Sequence, residues 1–185
     1  MECQSGQLIW LRGANGSGKT SLLRIVAGLS HADEGRISLE AEGVGTFRRR
    51  LVYIGHTNGL KDDLTALEAL EFLARLHGRA SDQEGLHAAL RRLAIHHRRH
   101  VAVRTLSQGQ RRRVALSRLA LEREPGLWVL DEPFDSLDAE GIAAINGLLH
   151  EHVGRGGCVV MTSHVPLSLA GVNIRQLELG RNPSP

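Results

Sequence analysis

Gly13-Ala14-Asn15-Gly16-Ser17-Gly18-Lys19-Thr20 is the stretch whose reading decides the fold. Gly13 and Gly18, followed at once by Lys19 and Thr20, have the spacing of a phosphate-binding loop. Glycines let the backbone wrap around phosphate oxygens with no side chain in the way. The N–H groups from Gly13 to Ser21, with the start of the helix they lead into, supply the positive field. Lys19 is placed to reach β- and γ-phosphates, and Thr20 to ligate Mg²⁺. The flanks agree. Leu8-Ile9-Trp10-Leu11 ahead of the loop reads as an apolar strand, and Ser21-Leu22-Leu23-Arg24-Ile25-Val26-Ala27 behind it as a helix.

Working outward, short apolar runs predict strands over 7–12, 35–40, 51–54, 127–131, 157–162 and 174–179. Helical periodicity predicts helices over 19–28, 65–78, 82–94, 108–122 and 139–152. The apolar runs at 127–130 and 158–161 read as fully buried strands, which predicts a parallel sheet covered on both faces. The stretch from about 62 to 122 is mostly helical, an insertion into an α/β core. All 185 residues read as one domain with a real core. Aromatics are only 3% of the chain, so aliphatic packing must carry that core. The net charge of +3 is modest and reads as a solvated surface, not a nucleic-acid footprint. Cys3 and Cys158 make no disulfide framework, Cys158 reads as a small core residue, and a reducing compartment is expected. The N-terminus has no signal region, and no apolar run is long enough to span a bilayer, so membrane contact is expected to be indirect.

Leu127-Trp128-Val129-Leu130-Asp131-Glu132 is an apolar strand ending in two carboxylates. With a phosphate loop upstream, Asp131 is expected to hold Mg²⁺, and Glu132 to sit beside the γ-phosphate and polarise the attacking water. Leu106-Ser107-Gln108-Gly109-Gln110 reads as a helix N-terminus with Ser107 as cap, open to an anion.

In order, the phosphate loop, the helical insertion, Leu106 to Gln110, Asp131-Glu132, Ser136-Leu137-Asp138 and Thr162-Ser163-His164 resemble the ATP-binding subunit of an ABC transporter. The resemblance implies a P-loop NTPase core of RecA-like type with a helical ABC-type subdomain. It implies a homodimer packed head to tail, with ATP and Mg²⁺ between one protomer's loop and the other's signature motif. Ser107, Gln108, Gly109 and Gln110 would then face the partner's ATP, Asp138 would communicate across the dimer, and His164 would touch the γ-phosphate and water. Catalysis would fall to Glu132, His164 and Lys19.

Further stretches narrow the resemblance: Tyr53-Ile54-Gly55-His56, Gly59-Leu60-Lys61, Leu64 to Glu68, Gln110 to Leu116, Leu127 to Phe134 and Thr162 to Leu167. These resemble the ATP-binding proteins of the cytochrome c maturation heme exporter. That likeness implies integral membrane transporter subunits as partners and a peripheral place on the cytoplasmic face of a bacterial inner membrane. It implies ATP hydrolysis that powers heme export or heme handover. Two alternatives remain open: the ATPase subunit of another small ABC exporter, and a regulatory module that binds nucleotide with little turnover.

The chain departs from the family pattern in two places. Thr57 stands where the family has a glutamine near Mg²⁺ and water. The N-terminal antiparallel strands are shortened, and the aromatic that stacks on adenine is missing; Trp10 reads as core. His96 and His100 have a helical i, i+4 spacing, yet their arginine-rich surroundings predict a solvated face. With no Cys-x-x-Cys-His, the chain has no covalent heme signature, and heme is expected on the membrane subunits.

Overall fold

The computed structural model describes residues 2–35, 37, 50–79, 82–167 and 169–180. These fall into two compact units, one within 1–56, 124–133 and 150–185, the other within 57–123 and 134–149.

The first unit is built on a parallel sheet. Its strands are β1 (Gln7–Arg12), β2 (Leu51–Ile54), β3 (Leu127–Leu130), β4 (Cys158–Thr162) and β5 (Asn173–Glu178). Their order is β2-β3-β4-β1-β5, and every pairing is parallel. β1 and β3 are apolar runs without alternation, as expected of strands covered on both faces. Leu8, Ile9, Leu11, Val129 and Leu130 are wholly buried. β5 lies at one edge of the sheet and is mostly exposed. Helix α1 (Lys19–Val26) follows β1, and its Leu23 joins Ile9, Leu11, Val129 and Val160 in one aliphatic cluster. Trp10 is buried, as expected, and donates its indole N–H to the Ser163 carbonyl at 3.2 Å.

Topology positions the site. β4 lies between β1 and β3, with Leu11 level with Thr162 and Leu130 level with Met161. Because the strands are parallel, the loops after β1, β2, β3 and β4 leave the same edge of the sheet. In open α/β sheets that carboxyl edge is where ligands bind.

The second unit is helical. α2 (Ala66–Leu76) starts at a capping box in which Thr65 and Glu68 satisfy each other's backbone N–H. α3 (Gln83–Arg92) is capped by Asp82, whose side chain accepts from Gly85 N–H. α4 (Gln108–Leu116) starts at a second capping box, Ser107 with Gln110. α5 is Ala139–Gly154, of which residues 139–149 belong to this unit and 150–154 to the first. Leu70, Leu86, Leu90, Leu93, Val103, Val114, Leu116 and Leu119 supply the buried aliphatic interior. Arg79 closes one side, its Nε–H shared between the two Glu122 carboxylate oxygens, each at 2.8 Å.

Several sequence expectations need adjusting. The helix expected over 108–122 is α-helical only to Leu116 and continues as a 3-10 turn over Ser117–Leu121. Ser117 donates its hydroxyl back to the Arg113 carbonyl at 2.8 Å, a bond that loosens an α-helix at that point. Cys158 sits at the border of the core: it opens β4, is partly buried against the aliphatic cluster, and its Sγ lies 3.2 Å from the Gln4 carbonyl. His96 is not helical with His100. It begins a 3-10 turn, and its Nε2 lies 3.0 Å from Nδ1 of His87. The strand expected over 35–40 lies largely outside the described residues. Among the described residues, no helix is long and apolar enough to cross a membrane.

Candidate functional site

The loop after β1 turns tightly on its glycines. Gly13 has φ 145°, and a Cβ there would lie 2.6 Å from the Leu179 carbonyl oxygen and 2.7 Å from Ser17 Oγ. No other residue fits that position without moving the chain. Gly16 and Gly18 are left-handed, with open space where a side chain would stand. That space is the concave side of the loop. α1 begins at Gly18 without a side-chain cap, so no side chain competes for the dipole end of the helix. Ser17 Oγ is buried and has no hydrogen-bond partner. Leaving such a hydroxyl bare costs on the order of 1–3 kcal/mol.

Lys19 arches over the loop. Its ammonium donates to the carbonyls of Gly13 at 2.8 Å and Ala14 at 2.9 Å. Those bonds hold the charge at the mouth of the loop and leave one N–H for a ligand.

A chain of hydrogen bonds crosses the ends of the strands. Thr20 Oγ1 donates to Asp131 Oδ2 at 2.9 Å. Thr162 Oγ1 donates to Asp131 Oδ1 at 2.8 Å and accepts from Glu132 N–H at 2.9 Å. His164 N–H donates to Glu132 Oε2 at 2.9 Å, with His164 Nε2 3.6 Å from Oε1. Asp131 is 3% exposed, while the His164 side chain is 68% exposed and the Glu132 side chain 18%. Asp131 is therefore deep, and the pair beside it opens to solvent. Glu132 has φ 48°, a left-handed value that a non-glycine residue adopts only when its surroundings impose it. Here its N–H is held by Thr162 and its carboxylate by His164.

Asn15, Lys19, His56, Asp131, Glu132 and His164 are among the residues around a cavity of about 300 Å³. The structure thus joins the two halves read separately in the sequence. Thr20 with Asp131 offers hard oxygen donors of the kind Mg²⁺ takes. The cavity can accept a polyphosphate along its glycine side and a water beside Glu132. One participant was missed. Thr162 was read only as part of a motif, although it ties Asp131 to Glu132. His56 lines the cavity, whereas Thr57, which follows it, is exposed and belongs to the second unit.

In the second unit, Ser107 Oγ accepts from Gln110 N–H at 3.2 Å, and Gln110 Oε1 accepts from Ser107 N–H at 3.1 Å. Gly109 is packed so closely that a Cβ would lie 2.4 Å from the Ser136 carbonyl oxygen. Arg113, buried on α4, donates to the Leu93 carbonyl at 2.7 Å and to Asp138 Oδ1 at 2.5 Å. Glu140 is its second acid, at 3.3 Å. A hydrogen bond from Gly141 N–H, then the Arg113 contact, hold the Asp138 carboxyl below its usual range. The motif around Ser107 and the Ser136–Asp138 turn thus form one locked piece.

The ABC transporter family model matches residues 1–135. The cytochrome c biogenesis ATP-binding export protein CcmA of Vibrio vulnificus (strain YJ016) is 39% identical over 183 residues, 97% of this chain and 89% of that protein. Its counterpart of the same name in Methylococcus capsulatus (strain ATCC 33009 / NCIMB 11132 / Bath) is 43% identical over 178 residues, covering 94% and 85%. A solved dimeric ATP-binding cassette in a post-hydrolysis state, bound to ADP and Pi, superposes with a TM-score of 0.79 at 24% identity, covering 98% of this chain and 86% of that one. That fold is the P-loop cassette described above. The chain belongs to the ABC transporter ATP-binding family and, within it, to the cytochrome c biogenesis ATP-binding export proteins.

Proposed function

We propose that this chain hydrolyses ATP to drive an export complex for heme export or handover in c-type cytochrome biogenesis. The observation that carries the reading is the continuous hydrogen-bonded line Thr20, Asp131, Thr162, Glu132, His164 along the phosphate cradle. The substrate assignment rests on the family membership.

Gly13, Ala14, Asn15, Gly16, Ser17, Gly18 and Ser21 hold the phosphates, chiefly through backbone N–H groups. Lys19 adds its free N–H to the β- and γ-phosphate oxygens. Thr20 and Asp131 would hold Mg²⁺, which would supply charge neutralisation on the phosphates; Thr57 stands in the sequence where the family has a glutamine. Glu132 accepts a hydrogen bond from water and, with His164, aims it at the γ-phosphorus. As the new P–O bond forms, the bond to the β-phosphate oxygen breaks and ADP leaves. Ser107, Gln108, Gly109 and Gln110 act on the ATP of a second copy, and the turn held by Arg113 senses that contact through Asp138. The second unit is the helical subdomain of the cassette. The dimer engages integral membrane subunits of the cytochrome c maturation type at the cytoplasmic face of a bacterial inner membrane. Support for the dimer comes from the exposed, locked motif around Ser107 and from the dimeric cassette of the same fold.

The test is phosphate release by the purified chain and by Glu132→Gln. The variant is expected to bind ATP normally, to accumulate as an ATP-bound dimer and to turn over at least ~10²-fold more slowly, as for loss of a general base. Equal turnover in the two proteins refutes the role of Glu132. Nucleotide binding without measurable turnover in either supports a regulatory module instead.

A further inference from the structure

Cys3 and Cys158 lie 155 residues apart in sequence and meet at the amino end of the sheet. Three contacts bring them together. Val159 of β4 is level with Leu8 of β1, which sets Cys158 level with Gln7. The Cys3 Sγ donates to the Gln7 carbonyl at 3.7 Å. The Cys158 Sγ lies 3.2 Å from the carbonyl of Gln4, the residue next to Cys3. The N-terminal segment is held there by Ser5, whose hydroxyl donates to the Gly156 carbonyl at 2.8 Å, and by the Gln4–Gln7 turn. Both cysteines are partly exposed.

We propose that Cys3 and Cys158 are an oxidisable dithiol that closes to an intramolecular disulfide when the protein meets hydrogen peroxide, Cys158 attacking and Cys3 resolving. The roles follow from the effect each sulfur has on the other. The neighbouring Cys3 holds the Cys158 thiol below its usual range, while Cys3 itself is pushed up by Cys158 and by burial. Cys158 is then the more readily ionised of the two, and the thiolate is the nucleophilic form. Its sulfur attacks one peroxide oxygen and the O–O bond breaks. Cys158 is oxidised to the sulfenic acid, and the departing hydroxide takes a proton to become water. The Cys3 sulfur next attacks the Cys158 sulfur. The S–S bond forms, the S–O bond breaks, and the hydroxyl leaves with the Cys3 proton as a second water. The peroxide is the only oxidant required. The product pins the N-terminal segment to the start of β4, at the end of the sheet opposite the phosphate cradle.

The test uses the full chain treated with a few equivalents of hydrogen peroxide, then intact-mass measurement and non-reducing peptide mapping. The expected result is a monomer lighter by two hydrogens, with a linked peptide pair containing Cys3 and Cys158. In Cys3→Ser, dimedone is expected to trap Cys158 as its sulfenic acid. In Cys158→Ser, oxidation of Cys3 is expected to be at least ~10-fold slower. Wild-type protein that ends as sulfinic acid at Cys158 without the linked pair, or that links only between molecules, overturns the proposal. So do equal oxidation rates in the two variants. None of these readouts depends on ATP hydrolysis.

Discussion

At the scale of single residues, Thr162 is the position on which the site turns. Its one hydroxyl donates to Asp131 and accepts from the Glu132 N–H, so it fixes the two neighbouring acids together. Thr162→Val keeps the shape, removes the hydroxyl and leaves the buried Asp131 one donor short. Phosphate release is expected to fall by about tenfold, the effect of losing roughly 1.4 kcal/mol of orientation. ATP affinity, measured by calorimetry, is expected to change less, because the phosphate cradle is untouched. An unchanged rate means that Thr162 only packs. Thr57 poses the opposite question. A hydroxyl has a shorter reach than a carboxamide and lacks its paired donor and acceptor. Thr57→Gln is therefore expected to raise basal phosphate release by a modest factor, about twofold, since Asp131, Glu132 and His164 are already present. A fall or no change would shift attention to His56, whose side chain is already at the cavity.

At the scale of elements, α4 shows what could be read in advance and what could not. Its start was legible, because Ser107 and Gln110 have the spacing of a capping box and only a helix uses it. Its end was not, because the Ser117 bond to the Arg113 carbonyl competes with α-helix only once the chain is already helical. The phosphate cradle was legible for a chemical reason: Gly13, Gly18, Lys19, Thr20, Asp131 and Glu132 are types that few other arrangements require. The Thr162 link was hidden, since it depends on β4 entering the sheet between β1 and β3. The nearness of Cys3 to Cys158 was hidden for the same reason. The Gly109 contact was hidden too, because nothing local announces that the Ser136 carbonyl lies against α4. Gly109→Ala tests that contact. A Cβ 2.4 Å from a backbone oxygen cannot be absorbed by a rotamer change, so the turn or the helix must move. Stability is expected to fall by about 1–3 kcal/mol, as in overpacked interiors. Turnover is expected to fall at least tenfold if the motif acts on a second copy's ATP, an order-of-magnitude guess for a misplaced transition-state contact. A stable variant with full turnover would show that the Ser136 turn is free to shift.

At the scale of the whole molecule, the sheet's stability rests partly on a histidine kept neutral. His152 is fully buried and stacks on Trp128, ring centroids 3.8 Å apart and planes 10° from parallel. Its Nε2 lies 3.0 Å from the Gly126 carbonyl and must donate, so the proton sits on Nε2 and Nδ1 is bare. Nδ1 is buried with no partner, and a Cβ on Gly157 would lie 2.2 Å from Nε2, so the ring has no room to turn. Protonating Nδ1 would bury an unpaired cation. Burial, then the nearby Arg155, accordingly lower His152 from 6.5 to about 4 despite the opposing Gly126 bond. The direction of the pH effect follows. Above the unfolded value both states carry neutral imidazole, and the stacking contributes in full. As pH falls below 6.5, the unfolded chain takes up a proton that the folded chain refuses, and stability drains away. The loss is complete near pH 4, where the folded protein also protonates, and it amounts to at most about 3 kcal/mol. Carboxylates titrate in the same range, so the wild-type slope alone is ambiguous. His152→Phe separates them: it keeps an aromatic face for Trp128 and cannot protonate. Urea midpoints for both proteins at several pH values between 7.5 and 4 are the measurement. The variant is expected to be less stable at neutral pH, having lost the Gly126 bond, and to lose stability more slowly on acidification. Parallel slopes would mean that His152 protonates in place without cost, and that the acid sensitivity of the fold lies in its carboxylates.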